Sequence, residues 1–174
     1  MLQSDSNDDG LRHICDEVKR SRQEITDAVI HEWGGIQKAE TWLQLPEDLD
    51  QDHLPDLISA IADTALCTLF GETERNALVW VAVEHGRQRR SHGYQDDLLY
   101  REYSLLRRAL WHVIRHRFAR TGLASEAVIR VDAAITLATG GSLRGYYQQT
   151  LEATGDWPAA VERLSAEFSF GMDD

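Results

Sequence analysis

The chain has 174 residues, 43% of them hydrophobic, and a net charge of −11, values that suit one packed domain. No apolar run approaches the ~20 residues of a membrane span, and the polar start MLQSDSNDDG has no signal-peptide pattern. Membrane insertion is therefore not expected, and the reading is cytoplasmic. Cys15 and Cys67 stand far apart and outside any metal-type spacing, so reduced thiols are expected.

No strand-type alternation is sustained, whereas helical spacing recurs almost throughout. Residues 1–9 read as a disordered tail and 10–171 as a single helical domain. A first helix is predicted from Gly10 to Trp33, with Ile14, Val18, Ile25 and Val29 near one face and Gly34-Gly35 as its stop. A connector broken at Pro46 follows, with a helical turn near Thr41. The second helix starts at Pro55, buries Leu57, Ile58, Ile61, Ala62, Ala65 and Leu69, and ends at Gly71. The third runs from Glu72 to about His92. The fourth, Gln95–Arg120, repeats Leu99, Tyr103, Leu106, Leu110 and Val113 in steps of four and three. The fifth is capped by Ser125 and runs through Val131 and Ile135 to Thr154. Gly140-Gly141 is expected to kink or break it. A short last helix spans Asp156 to Gly171. The fold class is all-α, a mostly antiparallel bundle of five or six helices.

Charge is unevenly spread. From His85 to Arg120 there are nine Arg against Asp96, Asp97 and Glu102, so this stretch is basic in an acidic chain. Such a stretch can bind nucleic acid, lie in solvent, or dock on the protein's own acids. No zinc-finger, helix-turn-helix or RNA-binding signature accompanies it, which argues against nucleic acid as a partner.

Ionisable residues also sit where apolar ones belong. His85 lies on the apolar face of the third helix and Glu102 beside that of the fourth. Polar groups in such places cost stability unless paired. Counted from Gly93, His85 is eight residues before the turn and Glu102 nine after. Both then lie about 12–14 Å from it, level across a helical hairpin. Arg89 is one turn nearer Gly93, and Arg107 just over one turn beyond Glu102. A network of His85, Arg89, Glu102 and Arg107 would satisfy each member. Its first reading is a lock on helix register; its second is a pH- or ligand-sensing role for His85.

The pattern His85-x3-Arg89-x3-Gly93-Tyr94, with Leu98, Glu102-Tyr103 and Leu106-Arg107, resembles the RsbRD-type N-terminal domain. That domain is named for RsbT co-antagonist proteins and also precedes kinase modules in bacterial sensor histidine kinases. Asp52-His53-Leu54-Pro55-Asp56-Leu57-Ile58 is similar to an earlier helix start of the same family. The resemblance covers about Leu11 to Ala153. It implies a helical, non-catalytic input domain that needs no cofactor and passes a signal through its last helices to a kinase or stress-regulator output. No kinase, ATP-binding or anti-sigma-antagonist segment follows Asp174, so an excised or standalone input domain is expected. Related RsbR sensory domains resemble haem-free globins, which makes a globin-like arrangement the alternative fold. Helices Gln95–Arg120 and Ser125–Thr154 are the candidates for homodimerisation and relay; the ligand is left open.

Other constellations are weaker. His112 and His116 share a helical face at i,i+4, as two metal ligands would. Glu102 is ~15 Å from them along the axis and cannot complete the site. A haem sensor would need His85 or His112 in an apolar pocket, and no CxxCH occurs. A haem- or metal-binding helical sensor using these histidines is thus the second functional reading. Tyr146 and Tyr147, just after the expected kink, are candidate pocket residues, together with Tyr103 and Trp111 of the hairpin. No nucleophile–base pair, phosphate loop or dinucleotide fingerprint is visible, so no enzyme is expected.

Overall fold

The computed structural model describes residues 2–39 and 53–154, with side chains described for 7–36 and 53–148. Among these residues there are six α-helices and no strand. They are α1 Leu2–Arg20, α2 Arg22–Ala39, α3 Leu54–Ala62, α4 Glu72–Ser91, α5 Asp96–Arg117 and α6 Ala124–Thr154. A π-helical turn, Asp63–Cys67, follows α3. The all-α helical bundle expected from sequence is the fold observed. The helix expected at 156–171 and the connector turn near Thr41 lie outside the described residues.

The apolar positions read from periodicity form the core. Ile14, Val18, Ile25, Val29, Leu57, Ile58, Ile61, Leu99, Leu106 and Leu110 are all buried. Of the described tryptophans Trp33 is buried and Trp111 partly so, whereas Trp80 stands on the surface at 71% exposure.

Several boundaries differ from expectation. Residues 2–9, read as a disordered tail, continue α1. Gly10 presses on Leu123, where a Cβ would lie 2.3 Å from Cδ1, so α1 is packed at this point and the helix propagates upstream from it. The single helix expected to Trp33 is interrupted at Ser21, between α1 and α2. Backbone bonds on either side persist, Ser21 N to Glu17 O and Ile25 N to Ser21 O, which is why the apolar period barely registers the break. Gly34-Gly35 does not stop α2. Trp33 is buried and Ile36 also packs on the core, and these two anchors hold the helix across the glycines.

The second predicted helix is interrupted before Gly71. Past Ala62 the bonding widens: Thr68 N reaches Asp63 O at 3.0 Å and Phe70 N reaches Thr64 O at 2.7 Å. Leu69 and Phe70 then take left-handed φ of 52° and 66°, a region that costs non-glycine residues roughly 1–2 kcal/mol each. The two cysteines meet at this turn. Cys15 and Cys67 form a disulfide with Cα atoms 6.0 Å apart. This corrects the expectation of reduced thiols. A sequence separation of 52 hid a spatial contact that only the packing of α1 on the π-turn creates.

Gly140-Gly141 does not break α6, which runs without interruption from Ala124 to Thr154. The glycines serve contact instead. A Cβ at Gly145 would lie 1.9 Å from Val83 O, one at Gly86 1.8 Å from Ser142 O, and one at Gly141 3.0 Å from the Ala82 Cβ. Ala82-x3-Gly86 thus faces Gly141-x3-Gly145, and backbone meets backbone. The pairing rises in step, Ala82 with Gly141, Val83 with Gly145 and Arg87 with Gln148, so α4 and α6 run parallel. They form the most extensive helix pair. α5 returns antiparallel to α6, with Tyr103 near Ser142 and Arg107 near Asp132. This parallel pair sits within the mostly antiparallel bundle because one intervening helix makes α6 retrace the direction of α4.

Candidate functional site

The turn between α4 and α5 sets the geometry. Gly93 has φ +78°, and the closing bonds are Gly93 N to Arg90 O and Tyr94 N to Arg89 O, both 3.0 Å. This is the left-handed glycine cap of a Schellman motif. It sends α5 back past α4, although the two backbones stay apart and side chains span the gap.

Those side chains are His85, Arg89 and Glu102. His85 Nε2 lies 3.1 Å from Glu102 Oε2. Because a carboxylate only accepts, this ring nitrogen carries the hydrogen. Arg89 Nε donates to Oε1 and Oε2 at 3.1 and 3.0 Å, and its Nη2 donates to Oε1 at 2.5 Å. All three residues are 1–3% exposed. Burial by itself would raise the Glu102 pKa; the Arg89 charge, then His85, overcome it and hold the carboxyl at about 2. Arg89 also lies 5.0 Å from the centroid of the Tyr94 ring. His85 Nδ1 is buried and has no hydrogen-bond partner among the described residues.

The triad joins a second polar path to α6. The His85 and Tyr103 rings meet edge to face at 6.0 Å. Tyr103 Oη and Ser142 Oγ are 2.7 Å apart, and Ser142 Oγ donates to Ala82 O at 2.7 Å. Burial pushes the Tyr103 phenol up, so it stays neutral and hydrogen-bonded. Ser142 is a residue that sequence reading missed. Its signal was one small polar residue inside the glycine-rich stretch.

Arg107 does not belong to the network. Its Nε binds Asp132 Oδ1 of α6 at 2.5 Å. Five positions beyond Glu102, it points roughly 140° around the helix. The four aromatic candidates also do not converge. Tyr103 is in the core, while Trp111 lines a groove of about 550 Å³ with Arg115, Val128 and Ile129. Tyr146 and Tyr147 line another, about 390 Å³, beside Arg90, Tyr94 and Asp96. There Arg90 Nη1 donates to Tyr146 Oη, which donates to Tyr94 O. Tyr147 hydrogen-bonds Asp96, a contact that, with burial, pushes its phenol up to about 12.

The His112 and His116 rings stack at 5.7 Å on the surface, with no third ligand among the described residues. His85 is buried elsewhere and its Nε2 is engaged by Glu102, so the three histidines do not assemble one site. The one metal-type cluster among the described residues is Cys15, Asp63 and Cys67. No helix among them is long and apolar enough to cross a membrane.

The basic stretch docks on the protein's own acids. Arg108 pairs with Glu32 at 2.6 Å, Arg107 with Asp132, and Arg87 with Glu84 at 2.8 Å. Arg117 joins Glu17 and Glu24. Its charge is thus largely answered within the bundle. In comparisons with known proteins, no family model, curated protein or solved structure matches the chain.

Proposed function

We propose that this bundle is a non-catalytic, cytoplasmic signal-input domain of the kind implied by the RsbRD-type resemblance. It acts as a homodimer and passes changes in helix packing to a kinase or stress-regulator output. The observation that carries this reading is the closed His85–Arg89–Glu102 triad. Its members are sealed from solvent, so no substrate meets them, yet they set the relation of α4 to α5. Through Tyr103 and Ser142 they also bear on α6, the longest helix. A ligand or partner favouring one packing over another would shift the populations of the two.

The test is a chimera in which the full chain replaces the input domain of a sensor histidine kinase of the RsbRD-type class. Autophosphorylation is compared for the parent chain, Glu102→Gln and Ser142→Ala. The milder Ser142→Ala leaves the triad in place should Glu102→Gln fold poorly. Several-fold changes in kinase output, with a dimer by light scattering, are expected. Equal output from all chimeras, or a strict monomer at high concentration, overturns the reading.

A further inference from the structure

The strongest unassigned chemistry lies away from the triad, where α1 meets the π-turn. Cys15 is fully buried, whereas Cys67 is only half-buried on the turn. Cys67 is thus the more exposed of the two residues, which makes it the sulfur to be attacked and Cys15 the leaving group. The surroundings also suit the reduced form. Cys15 Sγ lies 3.4 Å from Ala62 O and 3.7 Å from Asp63 Oδ1, so a thiol there has acceptors in place. Asp63 is in turn held by Lys19 Nζ at 2.8 and 3.1 Å.

The turn itself stores a reason to move. Leu69 and Phe70 both hold left-handed φ without being glycine, and such strain persists only where surrounding structure enforces it. The cross-link to α1 is the covalent part of that enforcement. Past the turn the chain enters α4, the helix that carries His85 and Arg89.

We propose that Cys15–Cys67 is a reversible thiol–disulfide exchange site whose substrate is a dithiol, with Cys67 as the attacked sulfur. A dithiol's thiolate attacks Cys67 Sγ and forms a mixed disulfide. The Cys15–Cys67 bond breaks, its electron pair leaves on Cys15, and that thiolate takes up a proton from solvent. The second sulfur of the dithiol then attacks its own sulfur in the mixed disulfide. This closes the dithiol's disulfide and releases Cys67. Two electrons pass from the dithiol to the protein, and the Asp63–Gly71 segment is freed from α1. The exchange chemistry is independent of the signalling reading.

The test uses the full chain in native buffer with graded ratios of reduced to oxidised dithiothreitol. Thiols are counted by alkylation and mass measurement, and backbone hydrogen exchange is followed in parallel. Both cysteines are expected to alkylate only after reduction and to re-pair on oxidation, with helicity retained throughout. Exchange at Thr68, Phe70 and Gly71 should rise by roughly tenfold or more in the reduced protein, with α5 and α6 little changed. The Cys15→Ser/Cys67→Ser chain should exchange like the reduced form and ignore dithiothreitol. Three results overturn the proposal: alkylation of both cysteines without reductant, reduction only in denaturant, or identical exchange in the two redox states.

Discussion

Substituting Glu102 by Gln removes one charge and keeps the side chain's shape. Glu102 accepts from His85 Nε2 and from Arg89 Nε and Nη2. A carboxamide offers one oxygen and turns an N–H₂ toward groups that are themselves donors. Arg89, buried at 3% exposure, loses the carboxylate to which its Nε and Nη2 donate. Breaking a buried pair in this way costs about 3–5 kcal/mol. The carboxyl's fall from its ordinary 4.5 to about 2 corresponds to roughly 3 kcal/mol, so the two routes agree in scale. Urea unfolding at pH 7, followed by helical circular dichroism, should show the midpoint falling while the slope holds. In heat, the loss amounts to roughly 10 °C. A triple replacement, His85→Leu, Arg89→Met and Glu102→Leu, should recover much of it, since apolar groups leave no buried charge behind. An unchanged midpoint for Glu102→Gln would refute the claim that this carboxylate neutralises Arg89 inside the bundle.

Acid titration tests the same group by another route. Its folded pKa lies below its ordinary value, so its stabilisation is complete above about pH 4.5 and is lost as pH falls through about 2; unfolding midpoints in that window should fall more steeply for the parent than for Glu102→Gln. Gly145→Ala places a Cβ 1.9 Å from Val83 O, and parting α4 from α6 should cost ~1–3 kcal/mol in urea unfolding; a neutral outcome would mean the seam is looser than described. Arg107→Ala breaks only a half-exposed pair with Asp132 and should cost no more than ~1 kcal/mol; a loss as large as that of Glu102→Gln would return Arg107 to the buried network.

The legible part of this molecule was its helical periodicity and whatever could be counted from a fixed turn. His85, Arg89 and Glu102 were placed together because Gly93 pins the α4–α5 turn and the rise per residue does the rest. Arg107 was misassigned because distance along a helix was weighed and rotation around it was not. The glycines of α6 were read by their low helix propensity, which is a local property. Their use depends on Ala82 and Gly86 across the seam, and a single helix's pattern does not contain its neighbour. Cys15 and Cys67 were misread for the same reason. Their pairing requires α1 to lie on a turn whose backbone departs from the helical period at Asp63, and no residue there announces the departure.

The glycine seam has a mechanical consequence. Where side chains separate two helices, rotamers and bond torsions absorb part of any displacement. Between Gly86 and Ser142, and between Gly145 and Val83, nothing intervenes. A shift of α4 at these positions therefore meets the α6 backbone directly, with no side chain to give way first. α5, joined to α4 through the His85, Arg89 and Glu102 side chains, has no such direct backbone path.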